Sequence, residues 1–419
     1  MILIIISRPS FHLVAVFIEG FGSLLRRQLW NNLRKVNEPT MILKCFLKFF
    51  LVILLLSFIS SNSSGEERSS FKQALPGYEY SFPRDFFSHD DFKVEWWYYT
   101  GNLEGEDGLQ FGYQLTFFRV DLDGTNTIPN PSRWKIKQIY FAHMTVTDID
   151  NKKFYFFERI NRNALNSAGA RSDRFLVWNE DWVLTKRGKS HHLKAVQSGT
   201  GIDLLLKPLK KLVFHGENGV SQKGTGEGNA SHYFSYTRMM SEGTVWIGGK
   251  PFTVKGTSWM DREFSSNHLS REHVGWDWFS LKLDNQIEIM LYQIRLKKGG
   301  VEPYSSGTLI AEDGSSQKLK LSKFKIKQTD RWISKNTGIR YPSKWIISIS
   351  ERNIQLEISP NLADQELHHL RSIAGSYWEG SVNIQGHYKG RPVTGTGYIE
   401  LVGYGKPLKT ELEQDQQSH

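Results

Sequence analysis

The sequence predicts an all-β protein of two tandem domains, and three observations carry that reading. Runs rich in Val, Ile, Phe, Tyr and Trp alternate with Asn and Gly turn signals along the chain, the pattern of successive short strands. Glu95-Trp96-Trp97, a turn at 104–108 and Tyr113-Gln114-Leu115 are echoed by Asp277-Trp278-Phe279, a turn at Asp284-Asn285 and Tyr292-Gln293-Ile294. The acid-to-tyrosine spacing is 18 residues in the first copy and 15 in the second, a difference the longer first turn is expected to absorb. Helical periodicity is scarce.

Taken in order, residues 1–64 form an N-terminal extension and signal peptide. Met41 is the expected start of a leader with basic Lys44 and Lys48, an apolar run from Phe49 to Ile59 and small polar residues from Ser60 to Ser64. That run is short of the roughly 20 residues a spanning helix needs, so export with cleavage to the periplasm or exterior is expected, with a membrane anchor as the alternative. The N-terminal β domain is placed at 65–242 and the C-terminal one at 243–405. Strands are expected at 110–120, 138–147, 153–159, 278–283, 288–296, 344–350 and 397–402, with Asp150-Asn151 turning a hairpin. A glycine-rich surface loop is expected at 216–228 and one short helix at 361–372, before a disordered tail at 406–419.

The chain has 419 residues, 39% apolar and 13% aromatic, enough to bury two cores. Of its formal charge of +10, seven Lys and Arg against two Asp and Glu lie in the leader. The remainder carries 46 against 41, interspersed, which does not suggest the clustered cations of a nucleic-acid binder. The single cysteine, Cys45, falls in the leader, so a mature chain holds no disulfide or thiol nucleophile. Gly224 to Gly228 lacks the Gly-Lys-Ser/Thr ending of a phosphate loop, and Gly256 to Met260 lacks the second glycine of a nucleophile elbow. The adjacent pairs His191-His192 and His368-His369 do not have zinc-ligand spacing. No metal or cofactor is expected.

Carboxylates among tryptophans are the candidates for chemistry, because burial favours the protonated acid. Strand alternation puts Asp277 with Phe279, Leu281 and Leu283, opposite Trp276, Trp278, Ser280 and Lys282. Asp277 is thus either a general acid or a fastening partner of Arg262 or a turn. Asp261 and Glu263 point one way from a strand and can shift each other's pKa; the bland alternative is surface pairing through Arg262. Glu95 is either a site residue or the buried partner of Arg119 or Arg238. His143 reads as a core histidine, whereas His232, among aromatic and basic residues at the domain junction, is a site candidate. The thirteen tryptophans either fill the cores or wall a substrate site.

The stretches Glu95 to Leu103, Phe111 to Arg119, His232 to Arg238, Ser258 to Phe264, Val274 to Ser280 and Tyr377 to Gly380 resemble, in order, those of the AttH-like family of secreted hydrolases related to carotenoid 1,2-hydratases. The resemblance implies two lipocalin-like (calycin-type) β-barrels. It also implies acid chemistry at an isoprenoid double bond, near Asp-His-x-Trp and Tyr-x-Asp motifs. Here these stand as Asp261-Arg262-Glu263-Phe264 and Tyr292-Gln293-Ile294, so three of the motif positions differ and carotenoid hydration itself is not expected.

The resulting expectation is an exported hydrolase or hydratase acting on an apolar or amphiphilic, lipid- or isoprenoid-like molecule, held in a barrel or at the junction. Asp277 would be the acid, Asp261 and Glu263 its partners, Tyr292 and His232 orienting groups. Glu95, Trp96, Trp97, Arg262, Trp276, Trp278 and Trp378 would contact the substrate. A carrier without catalysis is the alternative, and a structural envelope protein a third. The partner is a small molecule, with no nucleic acid, and with membrane contact only through the leader. Oligomeric state is left open.

Overall fold

A computed structural model describes residues 71–122, 136–267, 269–373 and 375–405. The expected leader at 1–64 and tail at 406–419 lie outside them. Among the described residues the regular elements are strands and three single-turn 3-10 helices.

The first sheet begins with β1 (Val94–Gly105), β2 (Gln110–Asp121), β3 (Gln138–Asp148) and β4 (Lys153–Arg162). Then come β5 (Ala168–Ala170), β6 (Leu176–Asn179), β7 (Trp182–Arg187), β8 (Ser190–Gln197) and β9 (Thr200–Pro208). Two short strands, β10 (Val213–Phe214) and β11 (Val220–Gln222), precede the long pair β12 (Ala230–Ile247) and β13 (Lys250–Asn267). The second sheet comprises β14 (His273–Leu283), β15 (Glu288–Leu296), β16 (Ser306–Ile310), β17 (Ser316–Lys320), β18 (Lys325–Ile333) and β19 (Arg340–Ile349). It ends with β20 (Ile354–Pro360), β21 (Glu366–Leu370), β22 (Gly375–Tyr388) and β23 (Arg391–Leu401).

The first sheet runs in the order β4-β3-β2-β1-β13-β12-β9-β8-β7-β6-β5. Its ends approach each other, and side chains bridge the gap: Arg159 donates to the Asn179 carbonyl at 2.9 Å and Asn161 to the Asn179 amide oxygen at 2.8 Å. The second runs β17-β16-β15-β14-β23-β22-β20-β19-β18. Together they form two tandem lipocalin-like barrels. Inward residues of alternating strands fill both. Trp97, Phe117, Trp182, Leu204 and Phe264 belong to the first core, and Phe279, Ile347, Trp378, Val382 and Leu401 to the second.

Four expectations need correction. The domain break at 243 falls inside β12, whose partner β13 also pairs with β1. The first barrel therefore continues to Asn267 and the second starts at His273. The expected helix at 361–372 contains instead β21, because the free side of β22 offers Glu366 and Leu367 partners in Trp378 and Tyr377; tertiary pairing overrides a weak local pattern. The loop at 216–228 carries β11, which pairs with β12. Gly216, at φ 71°, permits the turn: a Cβ there would meet the Val220 carbonyl oxygen at 2.1 Å.

The fourth correction concerns the repeat. Both hairpins form, but Tyr113 stands opposite Gly101 and faces the first core, whereas Tyr292 stands opposite Trp278 and faces outward. A spacing difference of three is odd, and an odd shift turns a strand residue to the other face. The shared device is an inward acid paired with an arginine of the next strand, Glu95 with Arg119 and Asp277 with Arg295.

Candidate active site

Strand register assembles the site where the outer faces of the two barrels meet. In the first sheet Tyr98 of β1 stands between Thr116 of β2 and Asp261 of β13, and Asp261 is opposite Ser235 of β12. The same rung continues through His143 of β3 to Glu158 of β4. Two residues along, on the same face, Trp96 is opposite Glu263, which is opposite Tyr233. The second sheet presents its own rung: Glu379 of β22, Glu400 of β23, Trp278 of β14 and Tyr292 of β15.

The rungs interlock. The Tyr98 hydroxyl donates to Glu379 Oε1 at 2.5 Å, and the Trp278 indole N–H to the Tyr233 hydroxyl at 3.1 Å. Trp278 packs edge-on against Tyr98 and Trp259, with ring centroids 5.1 and 6.2 Å apart. Tyr98, Tyr233, Trp259, Trp278, Tyr292 and Tyr398 are buried in one cluster, with Trp96 and Trp276 partly exposed at its margin. Aromatic walls thus surround carboxylates from both barrels.

Those carboxylates are held in different states. Asp261 accepts hydrogen bonds from Trp259 Nε1 at 2.6 Å, the Tyr233 hydroxyl at 2.8 Å and Ser235. Burial nevertheless outweighs these donors and raises its pKa to about 7. Glu263 faces a cation, with Lys223 Nζ 3.2 Å away, and accepts from Ser231. Burial opposes the charge on Lys223, but Glu263 and its neighbours hold its pKa above the usual value. Glu400 is half-buried, accepts from Trp276 Nε1 at 2.7 Å, and is raised to about 7 by burial, with Asp261 and Glu263 adding repulsion. Burial and Glu400 push Glu379 well above the carboxylate range, and its Oε2 meets no partner. Acids with raised pKa beside a cation-paired carboxylate can give and take protons in one space.

Asp261 has a stability consequence. Its folded-state pKa lies above the usual 3.8, so its contribution is full below that value and is lost as pH rises through about 7. An asparagine there mimics the protonated acid. The stability of wild type minus that of Asp261→Asn is expected to be larger near pH 5 than near pH 8, measured by urea unfolding at both. A difference that stays constant or grows with pH would show that Asp261 is not held protonated.

An open groove of about 360 Å³ runs beside this site, lined among others by Lys211, Phe214, Glu217, Thr308 and Lys318. The Thr308 hydroxyl meets His215 Nδ1 at 2.8 Å, and His215 Nε2 meets Ser235 at 2.8 Å. Ser235 in turn donates to Asp261. Two hydrogen-bonded residues therefore separate the groove from the acid.

Of the residues singled out in the sequence, Asp261, Glu263, Tyr292, Trp96, Trp276 and Trp278 come together here. The others do not. Asp277 points into the second barrel, bonded to Arg295 Nε and to the Tyr404 hydroxyl at 3.0 Å each. It is thus on the opposite face of β14 from the tryptophans that flank it, and cannot share a proton with Asp261. His232 faces the first core, its ring tilted against Tyr78 with centroids 4.2 Å apart, and burial lowers its pKa to about 4. Trp97 lies inside the first barrel under the Arg262 guanidinium, and Trp378 inside the second with its N–H on the Ala363 carbonyl. Glu95 is the partner of Arg119, as weighed, and also of Arg262.

Sequence reasoning missed Tyr98, Lys223, Tyr233, Tyr377, Glu379 and Glu400. Glu379 sat within the Tyr377-to-Gly380 stretch, and Tyr98 two residues after Trp96, so alternation pointed to both. Lys223 was hidden in a segment read as a surface loop, and Glu400 in an ordinary strand.

Comparison with known proteins agrees with the architecture. The AttH-like family profile matches residues 73–404. An AttH protein of Nitrosomonas europaea is 31% identical, with a TM-score of 0.72 over 80% of this chain and 100% of that one. Kievitone hydratase of Nectria haematococca, at 15% identity and a TM-score of 0.61 over 81% of this chain and 97% of that one, shares the fold. No curated protein matches the chain. With the match running from the first barrel through the last strand of the second, the chain belongs to the AttH-like family.

Proposed function

We propose that this protein is an exported acid/base enzyme of hydratase or hydrolase type, acting at the barrel junction on an apolar or amphiphilic, lipid- or isoprenoid-like molecule with water as second reactant. One observation carries the reading: raised-pKa carboxylates and a cation-paired carboxylate from the two barrels converge within aromatic walls. Asp261 gives the proton. Glu263, set by Lys223, orients and deprotonates water. The faces of Trp96, Trp276 and Trp278 accommodate apolar substrate and stabilise positive charge developing beside them.

Glu379 and Glu400 form the second acid pair, and Tyr233 and Tyr292 position the first. Tyr292 is itself fixed by Ser306, which donates at 3.0 Å, and by the Lys223 ammonium 4.2 Å above its ring. Export rests on the leader pattern at 41–64. The carrier alternative is less well supported, since side chains fill both barrels.

The test is native mass spectrometry of residues 65–419 purified from its own cells, with organic extraction of bound molecules and their return to the protein in ¹⁸O-labelled water. An apolar molecule that returns as a product carrying labelled oxygen is expected. Stoichiometric recovery of an unchanged ligand would replace the enzyme reading with the carrier.

A further inference from the structure

We propose that Glu158, His143 and Tyr377 form a proton path from the rim of the barrel junction to the buried Glu379, restoring its proton after each turnover; this rests on the acid/base reading above. The links alternate between the barrels. His143 Nδ1 lies 2.8 Å from the Tyr377 hydroxyl, and its Nε2 lies 2.8 Å from Ser372 Oγ and 3.7 Å from Glu158 Oε1. The Glu158 carboxylate is anchored by the backbone N–H groups of Ser372 at 2.9 Å and Arg371 at 3.2 Å. Tyr377 and Glu379, two residues apart on β22, share a face and interact.

The two ends differ in access to water. The Glu158 side chain is 10% exposed against 1% for His143, and Glu379 is fully buried. At the inner end Tyr98 occupies Glu379 Oε1, while Oε2 has no protein partner. A buried carboxyl oxygen without a partner is costly, and here it is the atom free to give up a proton. An acid sealed from solvent that gives up its proton needs a route for the next one. Hydrogen bonds that only fastened the barrels together would not need a titratable imidazole between a wet carboxylate and a dry one.

The transfer balances. Asp261 protonates the substrate, and Glu379 gives its Oε2 proton across the junction to the Asp261 carboxylate. Tyr377 then passes its hydroxyl proton to Glu379 and takes one from His143 Nδ1. His143 gains a proton at Nε2 from water at the Glu158 carboxylate. The proton that Glu263 takes from water leaves to solvent as one enters along this path, so none accumulates, and tautomer exchange resets the imidazole.

Infrared spectroscopy after rapid mixing of the folded chain into D2O reads the exchange of the Glu379 acid proton without any substrate. Its carbonyl band is identified by its loss in Glu379→Gln. Tyr377→Phe keeps the ring and removes the relaying hydroxyl; it is expected to slow the exchange by roughly tenfold or more. His143→Gln, checked like the first by near-UV circular dichroism, tests the next link if Tyr377→Phe does not fold. Unchanged exchange in either folded variant, or no protonated Glu379 band at all, overturns the path. Slowed exchange in a protein that turns over no substrate would leave the path standing and remove the enzymatic reading, so the two failures are distinguishable.

Discussion

Asp261→Asn is expected to lower kcat/KM by about 10²- to 10⁴-fold, the range a positioned general acid supplies, while leaving the fold intact. Asparagine keeps the volume and its carbonyl still accepts from Trp259, but it has no proton to give. The matching control is Asp277→Asn. Asp277 lies in the other barrel's interior with Arg295 and Tyr404, so its loss is expected to affect stability more than turnover. Both variants are assayed with the molecule released from the native protein, alongside urea midpoints. Full activity in Asp261→Asn, or a turnover collapse confined to Asp277→Asn, would return the acid role to the second hairpin's first carboxylate.

Glu95→Ala is expected to destabilise the protein by about 3–5 kcal/mol, the cost of leaving buried charge unpaired. Glu95 is wholly buried between two fully buried guanidinium groups, Arg119 and Arg262. It also accepts the His89 backbone N–H at 3.1 Å. Burial alone would favour its protonated form, but Arg119 and Arg262 hold its pKa well below the usual 4.5. The stabilisation is therefore full above that usual value and lost as pH falls toward the depressed one. Urea unfolding near neutral pH measures the loss. A variant within about 1 kcal/mol of wild type would mean that the arginines find other partners.

The two experiments separate functions that the sequence presented alike. Glu95 and Asp277 open the repeated hairpins, each followed by tryptophan, and look like acids in an apolar setting. Both turn inward and meet arginine, so they fasten barrels. Asp261 and Glu263 face outward from a strand whose other face is core, and the second barrel buries them. The sequence showed that these two share a face and that Arg262 does not. It did not show that the opposing surface would bring Glu379, Glu400 and Trp278, which lie more than a hundred residues away in the case of the two glutamates.

The sequence determined the all-β class, the main hairpin strands, the two-barrel organisation through family resemblance, and the face on which each residue of those strands lies, because side-chain alternation is a property of the extended backbone. It fixed neither what each face would meet nor where the first barrel would end. Only tertiary pairing decided that β13 closes the first barrel, that residues 366–370 pair as a strand, and that an odd difference in hairpin length sends Tyr113 inward and Tyr292 to the junction. Burial, and with it the raised pKa of Asp261, Glu379 and Glu400, was likewise decided there. A carboxylate's pKa depends on solvent excluded and charges gathered by residues distant in the chain, and those positions exist only once the two barrels have packed.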